Sequence, residues 1–259
     1  MPEFHEVVVV GTGFAGLGQA LALERAGIRD VVLLEKSPAS AGVGGTWRDN
    51  TYPGCTCDIP SHMYSLSTDP NPGWSRSYSP QPEIRDYLER VADEHDLRRR
   101  VRFSTEMTGA TWDEESRTWT VHTTRGEYRC CFLVSGMGAL HLPSIPALPG
   151  AERFRGDAFH SAQWRHDVDL RGKRVAVIGT GASAIQFVPQ IAPVAAGVTL
   201  FQRTPAWVLP KGDHPLGPVR RKLLERVPGL QRAYRAVLYA GLEARAIGPM
   251  SRPELLRPA

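Results

Sequence analysis

The sequence predicts an α/β fold made of two β-α-β units in tandem, and three observations carry that expectation. The apolar run Val7-Val8-Val9-Val10 ends in a glycine-rich turn and opens onto a segment rich in Ala and Leu. A second apolar run, Val31-Val32-Leu33-Leu34, follows at the spacing of one such unit. The same order of run, glycine turn and helix restarts at Arg174.

Each element has a local reason. Residues 6–10 are apolar on both faces of an extended chain, as a strand covered on both sides requires. Phe14 to Ala26 has the composition of a helix, and residues 31–35 read as the second strand. Residues 37–80 are dense in Gly, Pro, Ser and Asp, and so long an irregular stretch in a compact fold usually serves a site. Residues 82–98 place Ile84, Tyr87, Leu88 and Val91 on one helical face. Residues 101–134 alternate in short segments, Thr118–Thr123 among them, and predict a small antiparallel insertion at about 101–131. Three prolines within 143–149 mark a crossing, so the expected domains are 1–145 and 146–259. Arg174–Ile178, Ser183–Ile191 and Val198–Phe201 then read as strand, helix and strand. From about residue 217 the chain reads as basic amphipathic helix, with Leu223, Leu224 and Val227 on one face and arginines toward solvent.

Composition narrows the class. Of 259 residues, 42% are hydrophobic and 22% charged, ordinary values for a globular chain of one or two domains. A net charge of +4 gives no reason to expect nucleic acid as a partner. No stretch approaches the ~18 apolar residues of a membrane span. The first residues lack the basic segment and cleavage site of a secretion signal, so a cytoplasmic protein is expected. Cys55, Cys57, Cys130 and Cys131 match neither a disulfide framework nor a zinc site, so four reduced thiols and no metal are expected.

The two glycine loops differ in the charge that follows them. Gly11-Thr12-Gly13-Phe14-Ala15-Gly16 sits between a strand and a helix, the context that makes a glycine pattern a dinucleotide fingerprint. Gly11 makes the tight turn, Gly13 lets backbone approach a pyrophosphate, and Gly16 lets helix and strand pack closely. Phe14 and Ala15 open the helix whose N-terminus would hold the phosphates. Glu35, 24 residues after Gly11, can accept from ribose hydroxyls and would repel a 2′-phosphate, so this site suits FAD or NAD. The second loop is Gly179-Thr180-Gly181-Ala182-Ser183-Ala184, and the residue 24 after Gly179 is Arg203, followed by Thr204. A guanidinium there suits the 2′-phosphate of NADP. The fold class is thus two dinucleotide-binding, Rossmann-like units in tandem, and a flavin taking hydride from a nicotinamide is the chemistry they imply.

Between the loops lies Phe154-Arg155-Gly156-Asp157-Ala158-Phe159-His160-Ser161-Ala162-Gln163-Trp164. This resembles the F-x-G-x-x-x-H-x-x-x-W fingerprint of type I Baeyer–Villiger monooxygenases, with Arg165 in place of the usual Pro or Asp. Gly44-Gly45-Thr46-Trp47 and Asn50–Asp58 resemble the family's flavin-facing segment, and Phe201-Gln202-Arg203-Thr204-Pro205 its NADPH-phosphate segment. The resemblance covers roughly residues 5–215.

The resemblance implies an enzyme that uses FAD, NADPH and O2 to insert oxygen beside the carbonyl of a small ketone, through a C4a-peroxyflavin. It implies that Gly45, Thr46, Trp47, Asp58, Tyr64 and Met107 contact FAD, and that Thr56, Cys57 and Asp58 contact NADP. His160 and Trp164 would couple the domains. Asp58 would position an arginine that the family carries in a later half, outside these 259 residues. The second unit and the closing part of the first are therefore expected to be incomplete, and a second chain could supply the rest. An N- or S-oxygenating flavin monooxygenase, which usually lacks the Trp, and a non-catalytic nucleotide-binding remnant are the alternatives. Trp47 stands where a dithiol oxidoreductase would carry its first redox cysteine, which argues against that reading.

Overall fold

The computed structural model describes residues 2–205, 208 and 210–251, and of 245–251 only the backbone. The chain divides into two compact units, Met1–Cys55 with Gln81–Trp207, and Thr56–Pro80 with Val208–Ala259.

In the first unit, β1 (Glu3–Val10), α1 (Phe14–Arg25) and β2 (Val31–Leu34) form the first β-α-β unit. They are followed by the one-turn helix α2 (Thr46–Asp49), α3 (Gln81–Glu94), and strands β3 (Val101–Arg102), β4 (Met107–Asp113), β5 (Thr118–Thr123) and β6 (Gly126–Ser135). The six strands make one sheet in the order β3-β2-β1-β6-β5-β4. β1 runs parallel to both β2 and β6, and β2 parallel to β3. β4, β5 and β6 are antiparallel neighbours. Val7–Val10 and Val31–Leu34 are buried throughout, as strands covered on both faces must be. α1 buries Leu17, Ala20 and Leu21. The apolar face of α3 is the expected one, with Ile84, Tyr87, Leu88 and Val91 all buried.

Two differences from expectation have physical causes. α3 stops at Glu94, not 98, because Asp96 turns left-handed (φ 50°) and Leu97–Arg100 close into a 3-10 turn. The stretch 101–134 is more than an antiparallel insertion. Val101–Arg102 extends the parallel sheet beyond β2, and β6 leaves the antiparallel hairpins to lie along the whole of β1.

The second β-α-β unit is β7 (Arg174–Ile178), α4 (Ala182–Ile191) and β8 (Gly197–Phe201). β7 and β8 pair in parallel from Arg174↔Gly197 to Ile178↔Phe201 and form a sheet of two strands. α4 buries Ala184, Phe187 and Ile191. Ile178 and Phe201 remain 60% and 54% exposed.

In the second compact unit, Ser75–Tyr78 is zipped to 213–216. Ser77 N donates to His214 O (2.9 Å) and Leu216 N to Ser75 O (2.8 Å). The Asp213 carboxylate accepts from Arg76 (2.8 Å), the Ser77 hydroxyl (3.0 Å) and Tyr78 N (3.2 Å). Helices α5 (Pro218–Arg226) and α6 (Leu230–Ser251) follow, and the remaining tail, 252–259, lies outside the described residues. The arginines here are not all solvent-facing. Arg235 donates to Ser65 O (3.0 Å) and His62 O (3.3 Å), and Arg220 lies over the Tyr234 ring at 4.6 Å. Carbonyls of an irregular segment need donors, and a guanidinium supplies several.

Candidate functional site

The first glycine loop is shaped by what cannot fit there. Gly11 has φ +99°, and a Cβ on it would meet Gly136 O at 2.5 Å. A Cβ on Gly16 would stand 1.9 Å from Gly11 O, so α1 can approach β1 only with glycine at that place. Gly13 differs: its nearest neighbour would be Gly45 Cα at 3.8 Å, an ordinary contact, so the chain itself does not forbid a side chain there. The N-terminus of α1 that it caps has free N–H groups of the kind that hold a phosphate. Phe14 turns away and stacks on Tyr87 of α3 at 5.9 Å, while Ala15 is exposed.

Glu35 lies directly after β2 and is buried. It accepts from the Thr12 hydroxyl (2.5 Å) and Ser37 N (2.9 Å), and Arg48 Nη1 stands 3.1 Å from Oε1. Burial pushes its pKa up, but the Thr12 and Ser37 bonds and the Arg48 charge outweigh that and hold it below the ordinary value. A carboxylate has about four lone-pair sites, so Oε2 retains room for a further donor such as a ribose hydroxyl.

The Gly44–Trp47 segment joins this loop. Gly44 N donates to Thr12 O (3.0 Å), and the Trp47 carbonyl accepts from the Gln81 amide. Trp47 is buried, Thr46 exposed, and Gly45 half-buried. Met107, the first residue of β4, packs half-buried against the core of the sheet.

The second loop repeats the strand–turn–helix arrangement. Gly179 N donates to Phe201 O (2.9 Å), and Gly181 caps α4 with no side-chain bond. Thr180 Oγ1 accepts from Gln202 at 3.4 Å, Ala182 is exposed, Ser183 half-buried and Ala184 buried. Arg203 and Thr204 are exposed just beyond β8, and Arg203 makes no ion pair among the described residues.

The fingerprint segment is seated on α4. Trp164 packs on Phe187 (5.2 Å) and edge-on to Phe159 (5.3 Å). His160 Nδ1 accepts from Ala162 N (3.1 Å) and caps the turn that delivers Trp164. Tyr52 reaches the same helix, its hydroxyl donating to Gln186 (3.1 Å). Arg165, the departure from the fingerprint, pairs with Asp157 (2.8 Å) and Asp167 (2.5 Å).

Thr56, Cys57, Asp58 and Tyr64 belong to the second compact unit. Asp58 is exposed and Tyr64 half-buried. Lys211 Nζ donates to Cys57 O (3.0 Å) and to the Thr56 hydroxyl. Burial pushes the Cys57 thiol up to about 11. All four cysteines are free.

Three participants escaped sequence reasoning. Gly136 had a readable signal, a Gly-x-Gly directly after the apolar end of β6. Arg48, partner of Glu35, and Lys211, partner of Thr56, had none, since side-chain pairing over 13 and 155 residues leaves no local pattern. Among the described residues no group of three His, Cys, Asp or Glu side chains could hold a metal, and no helix is long and apolar enough to cross a membrane.

Fold and loops together define a chain of two β-α-β units, each with a glycine loop between its first strand and its helix. The sequence pattern of the pyridine nucleotide-disulphide oxidoreductase family matches residues 8–248, and the chain belongs to that family. It is 48% identical over 253 residues to a Baeyer–Villiger monooxygenase of Pseudomonas aeruginosa, covering 97% of this chain and 47% of that one. Its structure resembles cyclohexanone monooxygenase from Rhodococcus sp. Phi1 bound to NADP+ (TM-score 0.81, 36% identity, 93% of this chain and 44% of that one). It also resembles OTEMO in complex with FAD and NADP (TM-score 0.81, 35% identity, 92% and 45%). The chain spans a little under half the length of the curated relatives it matches.

Proposed function

We propose that the chain carries the FAD- and NADPH-binding units of a flavin monooxygenase that inserts one oxygen atom of O2 beside a ketone carbonyl. The observation that carries this reading is the complete fingerprint segment, with Trp164 seated on Phe187 of the helix that follows the second glycine loop. Likeness to Baeyer–Villiger monooxygenases supports the reaction, and likeness to a structure with FAD and NADP supports the cofactor pair.

In this reading residues 1–145 form the FAD domain and 146–259 the NADPH domain. Gly11, Gly13 and Gly16, with Phe14 and Ala15 opening α1, admit the FAD pyrophosphate, and Glu35 accepts from its ribose through Oε2. Gly45, Thr46, Trp47, Asp58, Tyr64 and Met107 are its further contacts. Gly179 to Ala184 take the NADPH pyrophosphate, and the exposed Arg203 with Thr204 takes the 2′-phosphate. Thr56, Cys57 and Asp58 stand on the nicotinamide side, and the exposed Asp58 carboxylate is free to position a cation. His160 and Trp164 brace the segment between the loops on α4. When bound, FAD accepts hydride from NADPH and activates dioxygen.

Further polypeptide of the kind the longer relatives possess completes the enzyme, in the same chain or a second one. A parallel sheet of two strands with exposed Ile178 and Phe201 supports this, because parallel strands are normally covered on both faces. Four free thiols accord with a cytoplasmic setting.

The test is titration of the purified protein with FAD and NADPH, followed by turnover of cyclic and linear ketones. Flavin absorbance that bleaches with NADPH is expected, with slow NADPH oxidation and no ester or lactone until the completing polypeptide is present. Lactone formed without it removes the completion proposal and leaves the oxygenase. Failure to take up either cofactor removes the oxygenase and favours a non-catalytic remnant. Oxidation of amines or sulfides alone makes the protein an N- or S-oxygenase.

A further inference from the structure

At the start of β2, beside the 3-10 turn that precedes β3, lies a pocket of about 370 Å³ lined by His5 and four arginines, Arg29, Arg99, Arg100 and Arg102. Three carboxylates border it, and each is committed. Glu3 accepts from Arg102 (3.0 Å), and Glu24 from Arg100 Nη2 (3.1 Å). The two ring nitrogens of His5 lie 2.9 Å from Glu3 and 2.6 Å from Asp30. Cationic capacity is left over. The Arg100 side chain is only 10% exposed, and its Nη1 is buried with no hydrogen-bond partner. Arg29 is exposed and makes no ion pair among the described residues. Among the described residues Arg99 forms an ion pair with Asp96 alone (3.0 Å), and both side chains are about two-thirds exposed, so water and salt compete easily for that pair.

We propose that this pocket binds a phosphate-type oxyanion, gripped by Arg29, with Arg99, Arg100 and Arg102 lining it. Guanidinium groups match phosphate oxygens in planar, paired hydrogen bonds. The site shares no residue with either glycine loop and does not rest on the flavin reading.

The test is calorimetric titration with inorganic phosphate, pyrophosphate and glycerol phosphate at constant ionic strength, with ³¹P line widths as a second readout. The three probes distinguish a free ion, a diphosphate and a phosphate ester. The protein should bind at least one of them saturably. Arg29→Gln should weaken that binding at least about tenfold, the loss of one charged hydrogen bond. Arg29→Gln with Arg100→Gln should abolish it. Gly13→Val and Arg203→Ala should remove only what the glycine loops themselves bind and leave the component sensitive to Arg29→Gln. No saturable binding by the unaltered protein overturns the proposal and leaves a solvated arginine cluster. Binding that survives Arg29→Gln but is lost in Gly13→Val overturns it in favour of the glycine loop. If the Arg100 variant does not fold, Arg29→Gln, a change at an exposed residue, decides alone.

Discussion

Arg48 Nη1 lies 3.1 Å from Glu35 Oε1, and the two side chains are 6% and 5% exposed. The pair is enclosed together with the Thr12 hydroxyl, so the carboxylate proposed to accept from the FAD ribose also belongs to the interior of the fold.

Removing one partner of such a pair leaves an uncompensated buried charge. Arg48→Met should cost about 3–5 kcal/mol in a urea titration at pH 7. Glu35→Gln in the same chain should restore part of that loss. In the unaltered protein the Glu35 carboxyl is held low, so its stabilisation is full above the ordinary value of 4.5 and fades as pH falls through the lower folded value. Arg48→Met should shift that acid loss to higher pH. An unchanged pH profile would show that the pair does not set the Glu35 charge.

Gly13 and Gly16 should separate binding from folding. Gly13→Val meets no backbone within 3.8 Å of its Cβ, so the chain should fold and lose flavin. Gly16→Ala drives a Cβ to 1.9 Å from Gly11 O and should lower the melting temperature sharply, by overpacking worth at least about 1–3 kcal/mol. Circular dichroism melts with flavin absorbance read both. A Gly13→Val protein that keeps stoichiometric flavin would place the cofactor elsewhere.

Arg203 is exposed and makes no ion pair among the described residues, so its removal should leave stability alone. Arg203→Ala should weaken NADPH by about 1.5–3 kcal/mol and NADH hardly at all, because only NADPH carries the 2′-phosphate. Fluorescence titration with both nucleotides checks this, and equal losses would refute the assignment.

His62 is buried, its Nε2 lacks a hydrogen-bond partner, and burial, with Arg220 nearby, pushes its pKa down to about 4. A histidine kept neutral in the fold charges in the unfolded chain. Its contribution is therefore full above the unfolded value of 6.5 and is lost as pH falls toward 4. The urea midpoint should fall across that window, and His62→Phe should flatten the fall. A slope unaltered by the substitution would assign the acid sensitivity to other groups.

What was legible in the sequence was what neighbouring residues decide together. Gly11 and Glu35 could be read because turn geometry and strand length fix their spacing along one β-α-β unit. Trp164 could be read because its fingerprint is contiguous. The two-residue strand at Val101 is too short for any periodicity, and the partners of Arg48, Lys211 and Arg235 depend on how distant segments meet. The tail arginines misled for the same reason: amphipathic spacing marks a face, not what the face touches.

The register of β1 also sets a timetable for synthesis. One neighbour, β2, follows within about 25 residues, but the other pairs Val8 with Leu133, more than 120 residues later. At a ribosomal pace of about 5–20 residues per second, the wait is roughly ten seconds. Throughout it Val7–Val10 has an unpaired side of the kind that recruits stray strands. The nascent chain is thus open to misassembly at β1 until β6 has been made, and a chaperone able to shelter that apolar strand for the interval should raise the yield of folded protein.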